Sequence, residues 1–170
     1  MTAFFFLRPY IGLMAGLAQA SDGSGMGMGV EGGLWAGNPR ARLTLMVSYS
    51  KLSVEGSFDT TATPAGGGDQ GPSEVPATRS LDAFDLALGP SICIGRSEIG
   101  LRFGSSLHTG ERVSDDAGYT LKEYPSTWSF LWGGGFGWNW DKFGLWFFAD
   151  QHTGRRGLWV FGAKARLFPL

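Results

Sequence analysis

The sequence has little cysteine, little charge and no long hydrophobic run. Cys93 is the single cysteine, so no disulfide can form within the chain. Charged residues make up 17% of the 170 residues, below the roughly 25% that is usual for soluble domains. The net charge of −1 gives no electrostatic reason to expect a nucleic-acid partner. No apolar run approaches the ~20 residues of a membrane-spanning helix, but a membrane-spanning strand needs only about 9–11 and alternates in polarity.

Glycine and aromatic residues are abundant, and they alternate most clearly between Thr127 and Trp140. Every second residue from Trp128 to Trp140 is aromatic except Gly134, while the other set is small and mostly polar. A period of two is the side-chain period of a strand. We interpret the aromatic side as the lipid-facing side of a transmembrane strand. The predicted lipid-facing aromatic belt comprises Trp128, Phe130, Trp132, Phe136, Trp138, Trp140, Phe143 and Trp159.

The same alternation predicts eight strands in one domain that covers residues 1–170. The predicted strands are Phe4–Gln19, Met26–Ala36, Ala41–Lys51, Leu81–Ile94, Glu98–Thr109, Thr127–Trp140, Phe143–His152 and Gly157–Leu167. Long polar loops are predicted at about 55–79 and 110–125. The segment Ala18-Gln19-Ala20 also fits a signal-peptidase site, but the alternation before it favours a first strand. The predicted fold class is all-β, an eight-stranded antiparallel transmembrane β-barrel with an up-and-down meander.

Two features favour a membrane barrel over a soluble one of the lipocalin or avidin type. Connections after even strands are tight, whereas two of those after odd strands are long, as expected when the two rims face different compartments. The bulky aromatic side could not fill the interior of an eight-stranded tube, whereas the glycine-rich side could. Turns centred on Arg96-Ser97 and Asp141-Lys142 predict four opposed pairs, namely Asp85 with His108, Ser91 with Arg102, Gly137 with Trp146 and Gly135 with Phe148.

The predicted interior carries charges of both signs. The candidate lumen ion network consists of Glu31, Arg42, Asp85, Arg102, His108, Asp150, Lys164 and Arg166. Because buried charges are costly unless they are paired, we expect cross-strand ion pairs that fill a narrow lumen. The alternative is that these charges form an ion pathway or a gate.

Large side chains also point inward on the predicted strands. The candidate lumen-filling aromatics are Tyr10, Trp35, Trp146 and Phe148. Aromatic rings that cover glycines of a neighbouring strand would fill the interior. The alternative is a partly apolar cavity for a lipid or another hydrophobic small molecule.

Two histidines are candidates for metal binding or catalysis. His108 and His152 fall on the inner side near Asp85 and Asp150, but their spacing matches no metal-ligand motif, so we predict no metal and no cofactor. The run Asp150-Gln151-His152-Thr153 is faintly similar to the histidine and hydroxyl pair of lipid A deacylase barrels. A threonine replaces the expected serine and the last strand has no acid, so we predict that the chain is not an enzyme.

As a whole, the pattern resembles the small eight-stranded outer-membrane barrels, the family of the OmpA transmembrane domain and OmpX. The resemblance covers nearly the whole chain but rests on the pattern of strands and turns. Such barrels usually end in an aromatic residue, whereas this chain ends Phe168-Pro169-Leu170. The resemblance implies a bacterial outer-membrane location, contact with outer-membrane lipid and lipopolysaccharide, insertion by the outer-membrane assembly machinery, and loop contacts with other envelope or surface proteins.

The function predicted from these observations is a structural or surface scaffold, or an anchor for an envelope complex, with a filled lumen. The alternative is binding or transport of a hydrophobic small molecule or of ions through the barrel. A lipid A-modifying enzyme ranks below both.

Overall fold

The chain forms one antiparallel sheet that closes on itself. The computed structural model describes residues 6–60, 73–114, 120–154 and 157–169. Its strands are β1 (Phe6–Ala20), β2 (Gly23–Gly37), β3 (Ala41–Thr60), β4 (Ser73–Ile94), β5 (Ser97–Ser114), β6 (Thr120–Glu123), β7 (Thr127–Asn139), β8 (Phe143–His152) and β9 (Leu158–Leu167). Among the described residues there is no helix with the length and hydropathy needed to cross a bilayer.

Eight of the strands form the ring. Each pairs with its neighbour along the chain, β7 pairs with β5, and β1 pairs with β9 to close the barrel. The short β6 lies beside the end of β5. A row of directly opposed residues that starts at Ile99 on β5 returns to β5 at Thr109, ten residues further along the strand. This stagger tilts the strands by roughly 40° from the barrel axis.

The outer surface is apolar and the interior is polar. Leu13, Met28 and Ile94 are 70%, 70% and 76% exposed, whereas Glu31 and Lys164 are 3% and 1% exposed. A continuous apolar surface of this kind is stable against lipid and not against water. The alternation of residues along each strand therefore builds a transmembrane barrel, and the soluble arrangement with an apolar interior is excluded.

The connections differ between the two ends of the barrel. At one end, here called the turn rim, lie the connections at 38–40, 95–96 and 140–142. Asn38 stabilises the first of these, because its side-chain oxygen accepts hydrogen bonds from the backbone of Arg40 and Ala41 at 2.8 and 2.9 Å. Gly95 occupies the left-handed region with φ +61°. The opposite end, here called the loop rim, carries the connections after β1, β3, β5 and β8.

Strands reach further toward the loop rim than the sequence predicts. β3 continues to Thr60, β4 starts at Ser73, and β5 continues to Ser114, all within segments that we predicted as loops. Outside the bilayer the backbone can pair without an apolar side, so these extensions lack the alternation that marks the membrane-spanning parts. The remaining parts of the predicted loops, 61–72 and 115–119, lie outside the described residues.

The predicted register is confirmed at one turn and wrong at another. Gly137 lies opposite Trp146 and Gly135 opposite Phe148, as predicted. Asp85, however, lies opposite Ser106, and Ser91 lies opposite Gly100, because the turn is centred on Gly95-Arg96 and not on Arg96-Ser97. The slip is two residues, so every side chain keeps its predicted side of the sheet.

The N-terminal segment is part of the barrel. β1 pairs with β2 along its full length and with β9 from Ile11 to Gln19. The expectation of a first strand in this segment is therefore confirmed for the described residues.

Candidate functional site

The lumen, meaning the interior of the ring, brings together charged side chains from all around the barrel. At its centre Glu31 of β2 is almost fully buried and has three cationic neighbours. Its carboxylate lies 2.7 Å from Nζ of Lys164, 3.2 Å from the Arg102 guanidinium and 3.7 Å from that of Arg166. The Tyr10 hydroxyl donates a further hydrogen bond to Glu31 at 2.8 Å. Four strands are thus linked through one carboxylate.

Arg102 of β5 connects this centre to two more carboxylates. Its guanidinium forms a close ion pair with Asp150 and lies 3.9 Å from Asp85. Ser48 accepts a hydrogen bond from Arg102 at 3.2 Å and donates one to Asp85 at 2.8 Å. Charge-assisted bonds of this kind hold a long side chain in one position.

The central charges balance. The three carboxylates of Glu31, Asp85 and Asp150 face the three cations of Arg102, Lys164 and Arg166, and all six side chains are buried. Opposite charges at these distances offset the cost of removing each ion from water, which is several kcal/mol per ion. The network therefore holds together as a unit, and removal of one member leaves its partners uncompensated.

Little space remains around the network. Three small cavities along the described lumen have volumes of about 10, 20 and 10 Å³. One lies beside Arg102, Lys164 and Arg166, and another beside Asp85, Phe148 and His152. Each is about the size of one water molecule. The lumen is therefore filled by side chains at its centre.

Aromatic rings close the lumen toward the turn rim. Trp35 packs at a tilt against Phe168 with ring centroids 4.5 Å apart, and the ring centroid of Tyr10 lies 6.0 Å from that of Trp35. Guanidinium groups cover these rings, with Arg42 4.3 Å from Trp35 and Arg166 4.9 Å from Tyr10. Arg42 also pairs with Glu98 at 3.4 Å. This layer is a plug of aromatic rings and guanidinium groups packed against one another.

An apolar cluster fills the lumen toward the loop rim. Trp146 and Phe148 belong to one cluster with small and branched side chains of β1, β3, β4 and β9, namely Ala18, Ala20, Leu52, Val54, Leu81, Ala83, Leu158 and Val160. Nζ of Lys164 lies 5.0 Å above the Phe148 ring, which joins the cluster to the central network. Beyond the cluster, Arg79 pairs with Glu111 at 2.8 Å and with Asp22 at 3.7 Å.

The two histidines meet on the inner side. Nε2 of His108 lies 3.2 Å from Nδ1 of His152, and the Asp85 carboxylate is 4.0 Å from the same Nδ1. Within the described ranges, no group of three or more His, Cys, Asp or Glu residues has the arrangement of a metal site. Thr153 donates its hydroxyl hydrogen bond to the carbonyl of Phe130 at 3.0 Å. The hydroxyl and the imidazole that resemble a deacylase pair thus bind different partners.

Several residues of the lumen were not predicted from the sequence. Arg79 and Glu111 fell in segments that we predicted as loops, where no alternation of residues indicated that their side chains point inward. Glu98 could have been found, because it lies on the same side of β5 as Gly100 and Arg102. Ser48 lies directly opposite Asp85 in the β3–β4 ladder and donates a hydrogen bond to it, but the long predicted loop between these two strands left their register undetermined from the sequence.

The predicted aromatic belt lies on the outside. Trp128, Phe130 and Phe136 are 67%, 52% and 50% exposed, and Trp132, Trp138, Trp140 and Phe143 are about 40% exposed. Trp159 is half-buried because it packs edge-on against Trp132 and in parallel with Phe161. All of these rings belong to β7, β8, β9 and the turn after β7, so the aromatic surface covers one side of the barrel.

A closed antiparallel ring with an apolar outer surface and a filled, charged lumen defines a small transmembrane β-barrel. Solved structures of bacterial outer-membrane barrels share this architecture. Neisserial surface protein A has a TM-score of 0.59 and 14% identity over 94% of this chain and 96% of that chain. The N-terminal barrel domain of Pseudomonas aeruginosa OprF has a TM-score of 0.56 and 12% identity over 94% and 97%.

A third structure of the same type is Ail, the attachment invasion locus protein of Yersinia pestis. It has a TM-score of 0.52 and 15% identity over 95% of this chain and 97% of that chain. No protein-family model and no curated protein sequence matches the chain. At these identities the likeness extends to the fold, which is that of the small outer-membrane barrels.

Proposed function

We propose that the chain is an outer-membrane scaffold that does not conduct and that holds two connecting segments, here called hairpins (57–76 and 110–125), at its loop rim. The observation that carries this proposal is the filled lumen. Its central network is charge-balanced, and both ends are closed by packed aromatic or aliphatic side chains. A rigid barrel of this kind supports the segments attached to it.

The lumen offers little support for binding of a small molecule. Ligand pockets usually have volumes of about 300–1,000 Å³, whereas the cavities along the described lumen have about 10–20 Å³. The interaction surface that we propose is therefore the loop rim.

The two hairpins are acidic. Between Ser57 and Pro76 the sequence has three acids (Asp59, Asp69 and Glu74) and no lysine or arginine. The segment 110–125 has four acids and two basic residues. Ail was solved with the heparin analogue sucrose octasulfate, but a sulfated ligand would be repelled by acidic hairpins. We infer that the partner of this chain presents a neutral or cationic surface.

Replacement of one hairpin tests the display role. Gly56 and Ala77 are directly opposed in the β3–β4 ladder, so a two-residue Asn-Gly turn can replace Ser57–Pro76 without moving the strands. Bacteria that express the full chain should adhere to surfaces coated with a cationic peptide better than bacteria that express the shortened chain. Bacteria that express either chain should not adhere to surfaces coated with heparin. Equal adhesion to the cationic surface by equally expressed chains contradicts the display role.

Planar-bilayer recording tests the filled lumen separately. We expect no conductance from the wild-type chain. A steady conductance would instead favour the second candidate function, an ion pathway, which is suggested by the contact of Arg102 with three carboxylates. In that case Arg102→Ala should increase the current, because it removes the side chain that links Glu31, Asp85 and Asp150.

A further inference from the structure

A groove with a volume of about 970 Å³ crosses the outer surface of the barrel. It runs over β9, β1 and β2, where the outward side chains of Ala163 and Ala15 are small. Larger apolar side chains border it, namely Leu17, Met26, Met28, Phe136, Phe147 and Phe161. The groove is thus a recess in a surface that is otherwise covered by bulky side chains.

Glycines of the inner series also line the recess. Gly16 lies opposite Gly162 on one neighbouring strand and opposite Gly27 on the other. A Cβ atom on Gly16 would lie 2.4 Å from the carbonyl oxygen of Phe161, and one on Gly162 would lie 2.4 Å from that of Ala15. Without these atoms the three strands pack closely, and the backbone itself forms part of the groove floor.

The residues that line the groove include a row of opposed residues that extends from the turn-rim half to the loop-rim half. The row is Phe136, Phe147, Ala163, Ala15, Met28 and Lys51. Five steps between strands cover roughly 24 Å. Because the strands are tilted, the row rises along the barrel axis by roughly 15 Å. That rise is about half of the ~30 Å hydrocarbon core of a bilayer, so the groove spans about one leaflet.

Lys51 stands where the groove reaches the membrane surface. Below it on β3 the outward residues are apolar (Leu45, Val47), and above it they are polar (Ser53, Glu55). Tyr49, one outward position below, donates its hydroxyl to Asp82 at 2.9 Å. Lys51 is exposed, and the ion pairs found among the described residues do not include it. Asp82 lies directly opposite Lys51 in the β3–β4 ladder but accepts the hydrogen bond of Tyr49, so the Lys51 ammonium stays open to an anion at the headgroup level.

We propose that this groove binds one phosphorylated acyl glycolipid of the lipid A type. An acyl chain lies over Ala15 and Ala163, and a phosphate at its head meets the ammonium of Lys51. The length of the groove matches one leaflet. The positive charge of Lys51 lies at the loop-rim end of the groove, where the phosphate of such a lipid would be. The loop rim carries the longer connections, which in such barrels face outward, so the leaflet concerned is the outer one. The site depends on the membrane location and is independent of the display role.

Native mass spectrometry of the purified full chain in detergent tests the proposal. The probes are a synthetic lipid A with two phosphates, the same lipid without phosphate, and phosphatidylglycerol. Lys51→Gln should weaken binding of the phosphorylated lipid A by about tenfold, the loss expected for one charge-assisted contact, and should leave the dephosphorylated lipid unaffected. Lys142→Gln, which changes a lysine at the turn rim, is the matched control and should change the binding of neither lipid.

Ala15→Leu fills the groove floor and should weaken both forms of lipid A. Ala149→Leu enlarges an outward alanine of β8 that does not line the groove, and it should have no effect. Unchanged binding in Lys51→Gln and Ala15→Leu overturns the site. Equal binding of phosphatidylglycerol overturns the assignment to lipid A, and a dimer that Ala15→Leu dissolves would assign the groove to a second copy of the chain. Replacement of the hairpin should leave all of these affinities unchanged, which separates this test from that of the proposed function.

Discussion

At the scale of single residues, Arg102 is the cation of the lumen network that contacts the most carboxylates. It contacts Glu31, Asp85 and Asp150, which come from three different strands. Each carboxylate is buried, so it depends on a cation for the solvation that it has lost. Lys164 and Arg166 reach Glu31 as well, but among the described residues the arginine or lysine that pairs with Asp85 and with Asp150 is Arg102.

Arg102→Ala should lower the free energy of unfolding by about 3–5 kcal/mol, because it leaves buried carboxylates without their cation. Urea titration of the chain in lipid vesicles, followed by tryptophan emission, measures the change. Arg112→Ala on the same strand is the control, because Arg112 is exposed, and its change should be below about 0.5 kcal/mol. Equal unfolding midpoints for the two variants would contradict a structural role for the network.

The sequence could predict which residues point inward but not which ones touch. The alternation places Glu31, Asp85, Asp150 and Lys164 on one side of the sheet. The pairing of Lys164 with Glu31 depends on ring closure through β1 and on the reach of a flexible side chain. Contacts of this kind are set by the stagger of the barrel, which the residue pattern does not contain.

At the scale of strands, β1 and β9 approach so closely at Gly16 and Gly162 that neither position has room for a side chain. The Cα of Gly162 would lie 2.9 Å from a Cβ on Gly16, and backbone atoms cannot move aside as the end of a side chain can. Gly32 on β2 is different, because a Cβ there would have no heavy atom within 4 Å.

Gly16→Ala should therefore destabilise the barrel by about 1–3 kcal/mol through overpacking. Gly32→Ala should be neutral or should stabilise by up to about 1 kcal/mol, because alanine reduces the freedom of the unfolded chain. Thermal unfolding followed by the gel mobility of unheated and heated samples compares the two. A larger loss for Gly32→Ala would show that the close approach of β1 to β9 is misplaced.

Turn positions were the weakest part of the prediction at this scale. The hairpin at Asp141-Lys142 was placed correctly, while the one near Arg96 was misplaced by one residue along the chain. Gly95 with its positive φ determines the true turn. A glycine-arginine pair carries a weaker turn signal than Asn-Gly or Asp-Gly, and the neighbouring Arg96-Ser97 has a similar composition.

At the scale of the whole molecule, the closure between β1 and β9 fixes the stagger of ten residues. Ala15 and Ala163 lie directly opposite each other across this seam, and both point outward. Directly opposed residues have Cα atoms about 4.5–5.5 Å apart, and a displacement by two residues separates them by about 7–8 Å.

In a Cys93→Ala background, the pair Ala15→Cys and Ala163→Cys should therefore form a disulfide on mild oxidation, because the distance fits the bond. The pair Ala15→Cys and Ala165→Cys is two residues out of register and should stay reduced. Mass spectrometry of the folded protein with a thiol-blocking reagent distinguishes the two. Cross-linking of the second pair alone would mean that the barrel closes with a different stagger.

The uneven placement of the tryptophans gives the barrel a built-in spectroscopic reporter. Trp128, Trp132, Trp138, Trp140 and Trp159 belong to the outward series on one flank, whereas Trp35 and Trp146 are buried in the lumen. Lipids with brominated acyl chains should quench the emission of the five outward tryptophans and leave the emission of Trp35 and Trp146 unchanged. Bromine placed at different depths along the chain would then report how the aromatic flank sits in the bilayer.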